Sequence, residues 1–239
     1  MDINGKVVII TGASMGIGLS TARLFAAGGA KVVLAARTSQ RLQAAAAELH
    51  DLGYEALALT VDMCDPEAVQ QMVARAVKQF GRVDILINNA GQACAGLVVD
   101  VAPADFQKII NLNLFGPLYA IQAAVPHMRQ NGGGLIINIS SMVSKMALPG
   151  LGTYAATKSA LNMLSNTARG ELAPENIRVI TVYPRLTATD FGKNAIGNRA
   201  TRQPPRSGGP AMTADTPEWV AEKILAAARN EPEEQFMDA

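Results

Sequence analysis

The chain has 239 residues, which suits one α/β domain with a sizeable core and excludes a string of domains. Hydrophobic residues make up 49% and charged residues 17%, a balance that excludes a disordered or fibrous chain; the low charge and many alanines also suit a subunit that buries surface against copies of itself. A net charge of +1, with no run of like charges, presents no face for nucleic acid or a membrane surface, and no stretch reaches the ~18 apolar residues of a spanning helix.

Val7 to Thr11 is a short apolar run ended by Gly12 and predicts a buried strand. Ile17 to Ala27 has helical spacing, Lys31 to Ala35 predicts a second strand, and Thr38 to Leu52 an alanine-rich helix stopped by Gly53. Ala56 to Val61 is a third strand. Asp65-Pro66-Glu67 opens the next helix with a capping Asp and a Pro in the first turn, and Phe80-Gly81 closes it. Asp84 to Asn88 predicts a fourth strand, Pro103 to Arg129 a helix broken near Gly116-Pro117, and Leu135 to Ile139 a fifth strand. Gly152 to Leu172 is a long helix, Ile177 to Val182 a sixth strand, 217–229 a last helix, and Gln235 to Met237 a final strand.

Short apolar strands alternating with helices predict one α/β domain over 1–239, a doubly wound parallel sheet of about seven strands covered on both faces. Such sheets bind ligands at the carboxyl ends of their strands, where strand order reverses. Residues 190–216 interrupt the alternation with Gly, Pro and Arg; two readings stand, a lid over the substrate or a disordered loop. Met1 to Lys6 lack the apolar run of a signal peptide. The cysteines are Cys64 and Cys94 and the histidines His50 and His127, so neither a disulfide framework nor a metal site is expected, and a reducing cytosol fits.

Thr11 to Gly18, with Gly12, Ser14, Met15, Gly16 and Ile17 between, follows the first strand and opens the first helix. Its glycines let the backbone approach a pyrophosphate, and the helix N-terminus offers free N–H groups and partial positive charge. The spacing G-x-x-x-G-x-G in that setting predicts dinucleotide binding, against the plainer reading of a tight strand–helix turn. An acidic residue ending the second strand would bind the adenosine ribose and repel a 2′-phosphate. Ala36 stands there and Arg37 follows, so NADP(H) is expected over NAD(H); the alternative for Arg37 is a solvated surface side chain. Asp62, ending the third strand, has two readings, a partner for the adenine amino group or a helix cap, although Asp65 already suits the cap.

Tyr154 and Lys158 stand four apart in a helix and so share a face. A cation near a phenol favours its ionised form, and a shift of ~2–3 units from about 10 needs roughly 3–4 kcal/mol of differential interaction, which Lys158 and the positive nicotinamide ring of an oxidised cofactor would supply together. The bland reading is a half-buried Tyr beside a solvated Lys. Ser140 and Ser141 end the fifth strand, where a hydroxyl can hold a substrate oxygen. Asn113 lies in a helix that disfavours it and suits binding a backbone group or a water. Asn88, Asn89, Ala90 and Gly91 close the fourth strand beside the expected cleft.

In this order and spacing, Thr11 to Gly18, Asp62, Asn88 to Gly91, Asn113, Ser141, Tyr154-x-x-x-Lys158, Pro184 and Thr189 make the chain resemble the short-chain dehydrogenase/reductase family, and within it the 3-oxoacyl-carrier-protein-reductase-like members, over nearly its whole length. The resemblance implies a Rossmann fold, dimeric or tetrameric assembly, and an oxidoreductase moving a hydride between NADP(H) and a carbonyl or secondary alcohol. It implies Tyr154 as general acid/base and Ser141, thirteen residues upstream, as the substrate-orienting Ser. It implies Lys158 on the nicotinamide ribose and lowering the Tyr154 pKa, and Asn113 holding a water of a proton relay. Met63, Asn89, Ala90, Gly91 and Pro184 would line the cofactor, with Thr187 and Thr189 at its carboxamide. Two departures stand out. Arg185 follows Pro184 where the family usually has Gly, so its side chain would narrow the pocket, attract an acidic substrate or weaken cofactor binding. Ser144 stands where a Gly is common. Two other readings are carried: a catalytically silent NADP(H)-binding sensor or scaffold, and a dehydratase or epimerase on the same fold. Arg199, Arg202 and Arg206 in the lid region would suit an anionic substrate such as a carrier- or CoA-linked acyl group; a solvated loop is the alternative.

Overall fold

The computed structural model describes residues 1–197 and 213–237, within which strands and helices alternate along the chain. The order is β1 (Val7–Thr11), α1 (Gly16–Ala27), β2 (Lys31–Ala36), α2 (Ser39–Asp51), β3 (Ala56–Thr60), α3 (Pro66–Phe80), β4 (Ile85–Asn88) and β5 (Cys94–Ala95). It continues with α4 (Pro103–Ile110), α5 (Gly116–Gln130), β6 (Gly134–Ile139), α6 (Gly152–Leu172), β7 (Ile177–Tyr183), β8 (Ile196–Gly197), α7 (Pro217–Asn230) and β9 (Glu234–Phe236). Among the described residues seven strands form one sheet in the order β3-β2-β1-β4-β6-β7-β9, with every pairing parallel. β1 and β4 pair, yet the chain runs outward from β1 through β2 and β3 before returning to β4. Strand order therefore reverses between β1 and β4, and a crevice opens at their carboxyl ends.

The strands are apolar throughout because both faces are covered. Ile10, Val32, Leu34, Ile85 and Ile137 pack under α1, α2 and α7 on one face. Ile9, Val33, Leu86 and Ile136 pack under α3 and α5 on the other. The start of α3 is set locally: Asp65 accepts hydrogen bonds from the N–H groups of Glu67 and Ala68, with Pro66 in the first turn, and Gly81 ends the helix in the left-handed conformation.

Three expectations are corrected by the structure. The helix from Pro103 to Gln130 is not broken at Gly116-Pro117; it passes through one wide turn, Asn111–Phe115, in which the Gly116 N–H donates to the Asn111 carbonyl. Pro117 has no N–H to return to that turn, and Gly116 lets the helix lie close on Met63, whose carbonyl would stand 3.1 Å from a Cβ there. The continuous 28-residue helix has the length and composition of a membrane span, contrary to the reading of the apolar runs, but Leu112, Ala120, Ile121, Ala124 and Met128 bury one side of it against the sheet and α3. Finally, β5 and β8 pair as a small second sheet that the alternation did not announce. It fastens the start of the 190–216 region to the chain after β4. Arg199, Arg202 and Arg206 lie outside the described residues.

Candidate active site

The turns after β1 and β4 are pinned together at the crevice. The Thr11 hydroxyl accepts the N–H groups of Asn89 and Ala90, both at 3.0 Å, and the Asn89 amide donates to the Thr11 carbonyl at 2.9 Å. Gly12 has φ +69°, and a Cβ there would stand 2.9 Å from the Ala90 Cα; one on Gly18 would stand 2.4 Å from the Gly12 carbonyl oxygen. Only glycine fits at these positions, and the result is that α1 begins right against the strand end. Met15, at the N-cap of α1, makes no side-chain hydrogen bond to the first turn, so its N–H groups and positive end remain for an anion. Ser14 borders this turn half-buried, and Ile17 packs against the core beneath it. A cavity of about 410 Å³ opens here, lined by Met15, Gly16, Ala188, Thr189, Asp190, Lys193 and Pro217. The turn thus has the shape and polarity that a dinucleotide pyrophosphate requires.

Arg37 is exposed just beyond β2. Asp62 accepts the Cys64 N–H at 3.0 Å within its own turn and stays exposed, while Asp65 does the capping. Burial raises the Cys64 thiol pKa and Asp62 adds to this while Arg37 opposes it, which places the three side chains in one neighbourhood. Met63 is buried with its side chain in the core, so its backbone is what it can offer a ligand. Arg41, in the first turn of α2, reaches the Met15 sulfur at 3.6 Å. Sequence reading passed over it, although a second arginine four residues beyond Arg37 was the available signal.

Tyr154 and Lys158 stand on one face of α6, and both are buried, 7% and 4% exposed. The Ser141 side chain hydrogen-bonds to the Tyr154 phenol. Ser140 turns the other way, donating to the side-chain amide oxygen of Asn162 inside the fold. Ser144 has a use here: its hydroxyl donates to the Ser141 carbonyl at 2.6 Å and accepts from Asn162 at 2.9 Å, tying the Ser141 turn to α6. The Asn113 side chain binds both backbone groups of Gln92 at 2.9 Å and donates to Thr157 at 3.0 Å. Thr157 in turn donates to the Tyr154 carbonyl, so Asn113 fastens the chain after β4 to α6. Gly91 sits between Asn113 and Lys158; a Cβ there would be 3.3 Å from one and 3.5 Å from the other.

The phenol differs from the expectation that Lys158 would lower its pKa. Burial pushes the Tyr154 pKa above its ordinary value, and only the Ser141 hydrogen bond pulls it down. The Lys158 ammonium donates to the Ile139 carbonyl at 2.8 Å, and burial brings its own pKa down to about 8.

Pro184 follows β7, and its carbonyl accepts the Met142 N–H at 2.9 Å. Arg185 does not block the crevice. Its guanidinium forks onto the Asp215 carboxylate at 2.9 and 3.2 Å, and Asp215 exchanges backbone bonds with Leu186 and Ala188. Thr189 lies over Gly16 at the glycine turn, and Thr187 bridges to Asp215. Phe191 was not singled out from the sequence; its ring stands 5.7 Å from that of Tyr154.

Comparison with known proteins gives a consistent result. Residues 6–200 match the family model described as short chain dehydrogenase. The chain is 34% identical over 231 residues to the 3-oxoacyl-[acyl-carrier-protein] reductase FabG of Thermotoga maritima, covering 97% of this chain and 93% of that protein. It superposes on the 3-ketoacyl-(acyl-carrier-protein) reductase of Brucella melitensis, complexed with NADH, at a TM-score of 0.84 and 31% identity, covering 94% of this chain and 91% of that one. It also superposes on an alcohol dehydrogenase from Thermococcus sibiricus, complexed with 5-hydroxy-NADP, at 0.82 and 29%, covering 97% and 95%. A sheet that reverses at a glycine turn, and a family match that runs from before that turn to beyond the Tyr154 helix, lead to one assignment: the chain belongs to the short-chain dehydrogenases, a family of oxidoreductases.

Proposed function

We propose that the protein reduces a carbonyl to a secondary alcohol, reversibly, with NADP(H) as its cofactor. The observation that carries this reading is the buried Tyr154 phenol, hydrogen-bonded to Ser141 and one helical turn from Lys158, at the carboxyl end of the sheet. A nicotinamide held along the glycine turn, Asn89 to Gly91 and Lys158 would supply the hydride for the carbonyl carbon. Tyr154 delivers the proton to the carbonyl oxygen, so the ketone gains one hydride and one proton in all. The Ser141 hydroxyl holds the carbonyl oxygen beside Tyr154, and Lys158, buried one helical turn on, would hold the nicotinamide ribose. The remaining roles proposed are Asn113 within a proton relay, Asp62 and the Met63 backbone at the adenine, Asn89 to Gly91 along the cofactor, and Pro184, Thr187 and Thr189 at its nicotinamide end.

Preference for NADP(H) is supported by Ala36 in the place of an acid and by Arg37, with Arg41 alongside. The related structures hold both kinds of cofactor, so the choice rests on these side chains. A cytosolic homo-oligomer, dimer or tetramer, completes the proposal. The reading of a catalytically silent sensor drew on Arg185, and the pairing of Arg185 with Asp215 speaks against it.

One experiment tests the reading: NADPH and NADH consumption at 340 nm across keto esters, acyl thioesters, sugars and cyclic ketones. Tyr154→Phe is expected to lower kcat by about 10²–10⁴-fold while NADPH still binds. Arg37→Ala is expected to erase most of the NADPH preference, roughly 10–100-fold, because a charge-assisted hydrogen bond is lost. Tight NADPH binding without turnover of any carbonyl would sink the reductase, and equal use of both cofactors by the wild type would sink the preference.

A further inference from the structure

Resting on the carbonyl reduction proposed above, we infer that the substrate is a bulky apolar ketone, aryl or alicyclic, and that Phe191 is the side chain that selects it. Phe191 lies against Tyr154 with ring centroids 5.7 Å apart and planes tilted by 56°, yet remains 38% exposed. The ring therefore packs beside the proton donor while part of it stays accessible. An aromatic surface beside the reacting oxygen favours a flat or alicyclic group stacked upon it.

The placement of Phe191 is built rather than incidental. β5 pairs in parallel with β8, the Ile196 N–H donates to the Ala93 carbonyl at 3.0 Å, and the Gln92 amide donates to the Asn194 carbonyl at 2.8 Å. The Phe191 N–H donates to the Thr189 hydroxyl at 3.3 Å. These bonds hold residues 191–197 down over the Tyr154 end of α6. Beneath the phenol the wall is apolar, with Ala93 and Ile109 buried and Val143 beside them.

The neighbouring segments add exposed apolar side chains: Leu186, 52% exposed, and the exposed Met146 and Leu148 come from the two segments that Met142 and Pro184 join by a backbone bond. The charged side chains of the same segments are engaged with opposite charges, Arg185 with Asp215 and Lys193 with Asp190. The described wall thus offers stacking and apolar area to a ligand, and this favours an apolar ketone over the anionic acyl carrier that the lid arginines suggested.

The test compares an apolar aryl ketone, the same ketone bearing a carboxylate on its ring, and acetoacetyl-CoA, all with saturating NADPH. The wild type is expected to reduce the apolar ketone with the highest kcat/KM. Phe191→Ala should raise KM for that ketone about tenfold or more, leave the NADPH Kd unchanged, and change KM for a small aliphatic ketone less than about twofold; Phe191→Tyr should restore most of the loss. A higher kcat/KM for the carboxylate analogue or the thioester overturns the assignment while leaving the reductase reading intact. So does a Phe191→Ala protein with unchanged KM for the aryl ketone but an altered oligomeric state in size-exclusion chromatography, which would make this apolar surface a subunit contact. No turnover of any of the three overturns both readings.

Discussion

Lys158 shows how one side chain carries opposing demands. Burial holds its pKa near 8, below the ordinary 10.5, so the unfolded chain keeps this proton where the folded chain has lost it. Stability should therefore rise as the pH climbs from about 8 toward 10.5; below 8 both states hold the proton and the cost of the buried charge is present in full. Tyr154 runs the other way. Its phenol is raised, so above pH 10 the unfolded chain loses a proton that the folded chain retains, and stability falls. Urea unfolding of the protein without added cofactor, at pH 7 and 9.5, should show the wild type gaining about 2 kcal/mol relative to Lys158→Met. Parallel shifts in both proteins would mean that the ammonium is in contact with water after all. The Tyr-x-x-x-Lys spacing was legible in the sequence because helical periodicity puts the two on one face. The direction of the phenol's shift was not, because it depends on how deeply the packing of α6 buries the ring.

At the scale of elements, the departure at Arg185 becomes a tether between two segments. Its fork onto Asp215 joins the chain after β7 to the chain entering α7, and the backbone bonds of Leu186 and Ala188 to Asp215 extend the join. The Arg side chain is half-exposed and the Asp side chain nearly covered, so the pair adds little to global stability, about 1 kcal/mol or less. Its effect should be local, on where Thr187 and Thr189 sit. Arg185→Ala is expected to raise KM for NADPH about fivefold, the equivalent of roughly 1 kcal/mol, and to leave the urea midpoint nearly unmoved. Exchanging the two charges, Arg185→Asp with Asp215→Arg, should recover most of the loss. Steady-state kinetics of the three variants checks this, and an unaltered KM in Arg185→Ala would remove the tether's role. The same scale explains the misread break at Gly116-Pro117. Gly and Pro do punctuate chains, but the close seat on Met63 and the burial of Leu112, Ala120 and Ile121 keep the helix continuous, and one wide turn absorbs the missing N–H.

In the whole molecule, stability and chemistry occupy opposite ends of the sheet. Just before β4, the buried Asp84 carboxylate accepts the Val7 N–H at 2.9 Å and a fork from Arg82, binding the amino ends of two central strands. The proposed chemistry lies at their carboxyl ends. Asp84→Asn should cost about 1–3 kcal/mol of unfolding free energy while changing kcat less than about twofold. Thermal denaturation alongside the 340 nm assay reads both, and a large fall in kcat without loss of stability would contradict the separation. The sequence by itself determined the alternation of strands and helices, the parallel sheet, the glycine turn and the shared helix face of Tyr154 and Lys158. These follow from short-range physics: apolar periodicity, capping, and the positive end of a helix. Only the tertiary structure decided that Phe191 packs beside Tyr154, that Ser144 and Asn162 brace Ser141, and that Arg185 turns to Asp215. Each of those contacts joins residues from separate segments, and no local pattern encodes which distant partner a side chain will meet once the sheet has brought the segments together.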